Sequence, residues 1–157
     1  MREDCGLDLF WDFTFGDLTS ADPPDKKGVY VIRVRTPGMP PDEILQRLEP
    51  LISRFGWQMA EDYLRNRISR IQNIGDCPIL YIGSAGTNPT SKHTLAGRYR
   101  DLTRRDTAQF PIWALLYFGW KLDFGWKVTG NPRDDEAELK AKYLNRGRRS
   151  PPALVVR

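Results

Sequence analysis

The stretch Pro78-Ile79-Leu80-Tyr81-Ile82-Gly83-Ser84-Ala85-Gly86 decides how the rest of the chain is read. Ile79 to Ile82 is a short apolar and aromatic run, which predicts a strand. Gly83 and the small residues after it open a loop rich in Gly, Ser, Thr and Pro that reaches Thr94. Tyr81 stands near the mouth of that run. Its ring either caps a core with a wet hydroxyl or presents that hydroxyl for chemistry.

Working upstream, residues 42–73 change period. Ile44, Leu45, Leu48, Leu51, Ile52 and Phe55 recur at helical spacing, with Pro50 expected to kink or interrupt the helix. A second helix follows around 57–71, carrying Met59, Leu64, Ile68 and Ile71. Before this helical pair, Gly28-Val29-Tyr30-Val31-Ile32-Arg33-Val34 is a second strand rich in β-branched residues. Residues 21–27 are turn-rich, and residues 7–18 suit a short strand or clamp with Phe13 and Phe15 on one face.

Working downstream, Thr94 is placed to cap a helix over 95–104. Residues 110–118 are apolar, helix or strand, with Trp113, Leu116 and Tyr117 sharing one helical face. Leu122, Phe124, Trp126 and Val128 alternate with Lys121, Asp123, Gly125 and Lys127, the pattern of a half-buried strand. Asn131 is a good N-cap with Pro132 at the first helical position; that helix runs to about Asn145, and Gly147 ends it. Residues 150–157 read as an extended tail.

A chain of 157 residues suits one domain. Residues 1–27 read as an extension packing on a core of 28–157, with a helical insert at about 38–76. The net charge of +4 matters less than its placement. Basic residues gather at Arg65, Arg67 and Arg70, at Arg98, Arg100, Arg104 and Arg105, and at Lys140, Lys142, Arg146, Arg148 and Arg149. Such runs suit a polyanionic partner or simply solvated helix faces. Two cysteines and one histidine do not make a four-ligand zinc site. So few cysteines fit a reducing cytosol, and a cytoplasmic location is expected. No apolar run approaches the ~18 residues of a spanning helix, and residues 1–20 lack a signal-peptide pattern. The loop after Gly83 has neither a dinucleotide nor a phosphate-loop pattern, and no nucleophile elbow occurs.

Gly28-Val29-Tyr30 followed by Tyr81-Ile82-Gly83 resembles the paired tripeptides of the GIY-YIG nucleases. Leu95-Ala96-Gly97-Arg98 resembles that family's Leu-x-x-Arg helix, and Glu136-Ala137-Glu138-Leu139 its Glu-x-x-Leu helix; Gly147 and Pro151-Pro152 resemble the Gly and Pro that follow in some members. The resemblance spans residues 28–154. It implies an α+β fold with a small three-stranded antiparallel sheet flanked by helices. It also implies an endonuclease that hydrolyses phosphodiester bonds of nucleic acid, DNA rather than RNA, with one Mg²⁺ or Mn²⁺ ion.

By the same resemblance, Glu136 holds the metal, Arg98 stabilises charge on phosphorus, and Tyr30 is the base with Tyr81 as its helper. Each role is chemically reasonable. Mg²⁺ prefers oxygen ligands and keeps waters. Arginine pairs with phosphate through a planar fork. A tyrosine with a pKa of ~10 needs a nearby cation to act as base. Glu138 competes with Glu136, but two residues turn a helix by about 200°, so the two cannot face one metal. Lys92, Arg100, Arg104, Arg105, Arg148 and Arg149 are the expected nucleic-acid contacts.

Two positions depart from the family pattern. Leu102 stands where His or Tyr is usual, and Ala153 and Leu154 stand where an Asn is usual. Tyr99, Lys92, His93 and Asn145 are candidates to stand in. The departures keep a second expectation open, a nucleic-acid-binding module that has lost catalysis. The long insert keeps a third, a protein partner or dimer formed through the helices.

Overall fold

Four antiparallel strands form one sheet in the order β1-β4-β2-β3. They are β1 (Thr14–Asp17), β2 (Gly28–Thr36), β3 (Ile79–Ala85) and β4 (Lys121–Val128). Among the described residues, five α-helices accompany them: α1 (Pro41–Phe55), α2 (Gln58–Ser69), α3 (Leu95–Leu102), α4 (Phe110–Tyr117) and α5 (Pro132–Asn145). The computed structural model describes residues 5–55, 58–87, 93–103, 110–146, 152 and 154. The chain is thus α+β, with one strand more than the three expected. The extra strand is β1, which the N-terminal segment lays along β4 with Thr14 opposite Trp126 and Asp17 opposite Asp123.

The added strand makes β4 internal, and this corrects the half-buried reading of Lys121–Val128. Leu122, Asp123, Phe124 and Gly125 are all buried. A Cβ on Gly125 would lie 2.3 Å from the Phe15 ring, so glycine is needed for Phe15 to cover the strand. Asp123 is 5% exposed and is matched by two arginines, with Arg33 Nε at 3.2 Å and Arg35 Nη1 at 3.0 Å. Arg33 also lies over the Phe15 ring, 3.5 Å from its centroid.

The strand from Ile79 runs on through Gly83, Ser84 and Ala85, where a loop was expected. Its pairing with β2 slips once. Ile32 faces Tyr81 and Arg33 faces Ile79, so Leu80 is an extra residue. Such a bulge re-aims side chains. Tyr81 faces Ile32, and Tyr30 is two residues from Ile32, so both tyrosines share one face of the sheet.

That face carries the larger core: Tyr30, Ile32, Leu80, Phe124, Leu95, Leu102 and Leu115. The insert closes over it. Ile44, Leu48 and Ile52 of α1, at four-residue spacing, are buried with Ile68 and Ile71. Leu51 of the same helix is exposed, and the side chains of Met59 and Leu64 lie outside the described residues. Helix α1 continues through an exposed Pro50 rather than ending there. Helix α4 buries Pro111, Ile112, Ala114 and Leu115 and leaves Tyr117 84% exposed, with Trp113 and Leu116 half-buried and Leu116 packed on the larger core. The other face of the sheet carries Val29, Val31, Ile79 and Ile82, covered by Phe10, Phe13 and by Tyr143 of α5. No helix among the described residues is long and apolar enough to cross a membrane.

Candidate functional site

One end of the sheet gathers the starts of two helices. Leu95 at the start of α3 donates its backbone N–H to Lys26 O at 2.8 Å, just before β2 begins. Gly28 must be glycine there, since a Cβ would lie 2.3 Å from Lys127 O and 2.7 Å from Leu95. Thr94 caps α3 as expected, accepting from Gly97 N at 3.1 Å while donating to Asp25 at 2.5 Å. At α5 the cap differs from the expectation. Asn131 occupies the N-cap position without a side-chain bond. Instead Thr129 Oγ1 accepts from Asn131 N at 3.2 Å and donates to Asp135 at 2.5 Å. Asp134 and Asp135 in the first turn suit the positive end of the helix.

Four of the expected site residues come together from these elements. The rings of Tyr30 and Tyr81 stack with centroids 5.7 Å apart, and Tyr30 stacks in turn on Phe124 at 5.4 Å. Gly83 makes that stack fit. A Cβ on it would lie 2.6 Å from Tyr30 Cζ and Oη and from Tyr81 Cε1. This is a role for the glycine that strand text alone does not signal.

Arg98 and Glu136 both act electrostatically on Tyr30, in opposite directions. Tyr30 is 4% exposed, and its pKa is raised well above the ordinary 10.0. Burial is the main cause; then come the charge of Tyr81 and a hydrogen bond with it, and Glu136 adds to them while Arg98 opposes. These surroundings weigh against Tyr30 as the group that takes a proton. Tyr81 is half-buried, the more exposed of the two tyrosines.

Arg98 and Glu136 do not pair with each other. Glu136 has Lys140 as its ion-pair partner, Nζ to Oε1 3.6 Å. The Arg98 Nε is buried and has no hydrogen-bond partner. Glu138 is exposed and pairs with Lys142 at 2.7 Å. It lines a cleft between α5 and the N-terminal segment, as expected of a carboxylate about 200° around the helix from Glu136.

The remaining expected residues divide. Arg100 is exposed and, two residues from Arg98, lies on the other side of α3. Lys92, Arg104, Arg105, Arg148 and Arg149 lie outside the described residues, as do Gly147, Pro151 and Ala153. Leu102 and Leu154 are buried in the larger core, 6% and 7% exposed. Tyr99 is committed elsewhere, its hydroxyl donating to Leu18 O at 2.7 Å. His93 and Asn145 are exposed.

Among the described residues, no group of three His, Cys, Asp or Glu side chains could hold a metal ion. Mg²⁺ does not need one, because it is often held by one or two carboxylates, waters and a substrate phosphate. Glu136, a half-buried carboxylate, fits that donor set. No family model matches the chain, and neither the curated proteins nor the solved structures contain a match to it.

Proposed function

We propose that the chain is a metal-dependent endonuclease of the GIY-YIG type, hydrolysing phosphodiester bonds of nucleic acid, with DNA as the substrate. The observation that carries this is the buried, unpartnered Nε of Arg98, whose charge acts on Tyr30 of the stacked tyrosine pair. A buried donor without an acceptor costs about 1–3 kcal/mol. A phosphate oxygen removes that cost and adds a charge-assisted bond. Structural arginines do not normally leave the cost standing.

Glu136 would hold one Mg²⁺ or Mn²⁺ ion, which when bound polarises the phosphoryl group and steadies the leaving oxygen. Lys140 must release the carboxylate for that. Arg98 takes up the charge that grows on the phosphoryl oxygens. The Tyr81 hydroxyl orients the attacking water. Tyr30, neutral behind it, fixes the Tyr81 ring and hydroxyl, which reverses the order of the two tyrosines expected from the resemblance. The attack displaces one ester oxygen and leaves a phosphomonoester and a hydroxyl end.

Purified protein should nick plasmid DNA with Mg²⁺, and Glu136→Ala should abolish nicking. Cleavage persisting in Glu136→Ala would sink the assignment. A second reading, a binding module without turnover, is favoured by Leu102 and Leu154 lying in the core where the family carries polar groups. It predicts salt-sensitive binding with no cleavage of any substrate. The proposal places the protein in the cytoplasm. The cysteine pair described next must then be one that cytoplasmic thiols can reach.

A further inference from the structure

The two cysteines, 72 residues apart, are joined as a disulfide. Cys5 is fully buried at the start of the N-terminal segment, and Cys77 is half-buried just before β3. The bond is surrounded by contacts to α5. The Tyr143 hydroxyl donates to Cys77 Sγ at 3.1 Å, since a bridged sulfur has no proton to give. Gly6 has φ 82° and sits so close to Tyr143 that a Cβ would lie 3.3 Å from its ring. Asp8 pairs with Arg146, and the short helical turn Leu7–Phe10 packs on α5. Phe10 and Phe13 of the same segment share a core cluster with Tyr143. Segment and helix together form the two walls of a cleft of about 250 Å³, with Leu9, Trp11 and Phe13 on one side and Glu138, Leu139 and Lys142 on the other.

We infer that Cys5–Cys77 is a redox-sensitive clasp holding residues 5–13 against the C-terminal half of α5, opened by small-molecule or protein thiols. A thiolate of the reductant attacks Cys77 Sγ, the more accessible sulfur. The S–S bond breaks, and its electron pair leaves on Cys5 Sγ, which takes up a proton. A second reductant thiolate attacks the mixed disulfide, releases Cys77 as a thiolate that is protonated, and leaves the reductant as a disulfide. Two reductant thiols are oxidised, and two protein thiols form.

Once open, the segment is held by its apolar contacts and two exposed ion pairs, Asp8 with Arg146 and Asp12 with Lys127, so local opening becomes easier than global unfolding. Helix α5 also carries Glu136, but the inference stands whether or not the chain is a nuclease.

The test uses the full chain purified in air without reductant. Alkylation with iodoacetamide under denaturing conditions should show no free thiols by mass. Complete reduction with dithiothreitol should lower Tm by about 5–10 °C. Amide exchange over residues 5–13 and 139–146 should become faster by about tenfold, with β2 and β4 unchanged. C5S/C77S should show the faster exchange without reductant and no further response to it. Two free thiols in the air-purified protein overturn the inference. So does complete reduction with exchange in both segments unchanged, even if Tm falls, because the bond then acts only on the unfolded chain. If C5S/C77S is insoluble, the wild-type comparison with and without dithiothreitol decides alone.

Discussion

The two faces of the sheet each hold arginine beside aromatic rings, and they use it differently. On one face Arg33 lies over Phe15, and with Arg35 it bonds the buried Asp123; Arg35 also reaches Asp17 at 2.6 Å. There every charge has its counter-charge, so the cluster is structural. On the other face Tyr30 and Tyr81 stack, and Arg98, whose charge acts on Tyr30, has its Nε unmatched. An arginine closed by carboxylates holds strands together; one left open is, on the proposed function, where a phosphate would bind.

The largest expected effect tests the open arginine. Arg98→Ala should lower cleavage by about 10²–10³-fold, or about 2.7–4 kcal/mol, as for the loss of one charge-stabilising donor. Its urea midpoint should not fall, because no protein bond to Nε is lost and the cost of about 1–3 kcal/mol for the unmatched donor is relieved. A large fall in stability with cleavage unchanged would erase the contrast between the faces.

Next comes the closed cluster. Asp123→Ala leaves two arginines without their buried carboxylate and should cost about 2–3 kcal/mol in urea denaturation, below the range for fully buried pairs because both arginines are partly exposed. Plasmid nicking at permissive temperature should be close to wild type. Gly83→Ala should cost about 1–3 kcal/mol by forcing the tyrosine stack apart, and it should reduce cleavage as well.

The smallest effects are in pH dependence and have opposite signs on the two faces. Asp17 is lowered to about 2, first by hydrogen bonds from Thr19 and then by Arg35. Its contribution is present above the ordinary 3.8 and is lost as pH falls toward 2. Asp17→Asn should flatten the acid limb of the unfolding curve in that window. Tyr30 is raised, so its contribution is present below pH 10.0 and is lost as pH rises beyond it. Tyr30→Phe should flatten the alkaline limb. An alkaline limb that stays steep in Tyr30→Phe would mean that another group sets it.

The open site was more legible than the closed cluster. Tyr30, Tyr81, Arg98 and Glu136 are named from ordered short motifs; the structure stacks the two tyrosines, and the charges of Arg98 and Glu136 both act on Tyr30. Strand β2 and the cap at Thr94 follow from local pattern, which is where sequence reasoning is strongest. Asp123 was read as solvent-facing because its alternation with Lys121 and Lys127 is local. The arginines and the Phe15 ring that bury it come from remote segments. β1 is only four residues long, and its identity depends on pairing with a strand more than a hundred residues away. The cysteine pair was invisible for the same reason. At α5 the sequence named the cap position but not the Thr129–Asp135 bond that fills it.

Leu154 has a consequence outside both faces. β3 is the last strand of the sheet, and Leu154 donates its backbone N–H to Leu80 O at 2.9 Å with its side chain buried. An uncovered outer strand is a template on which a second chain can add itself. Leu154 therefore works as a guard rail on this edge: truncation before it should leave a protein that is soluble when dilute but self-associates as its concentration rises.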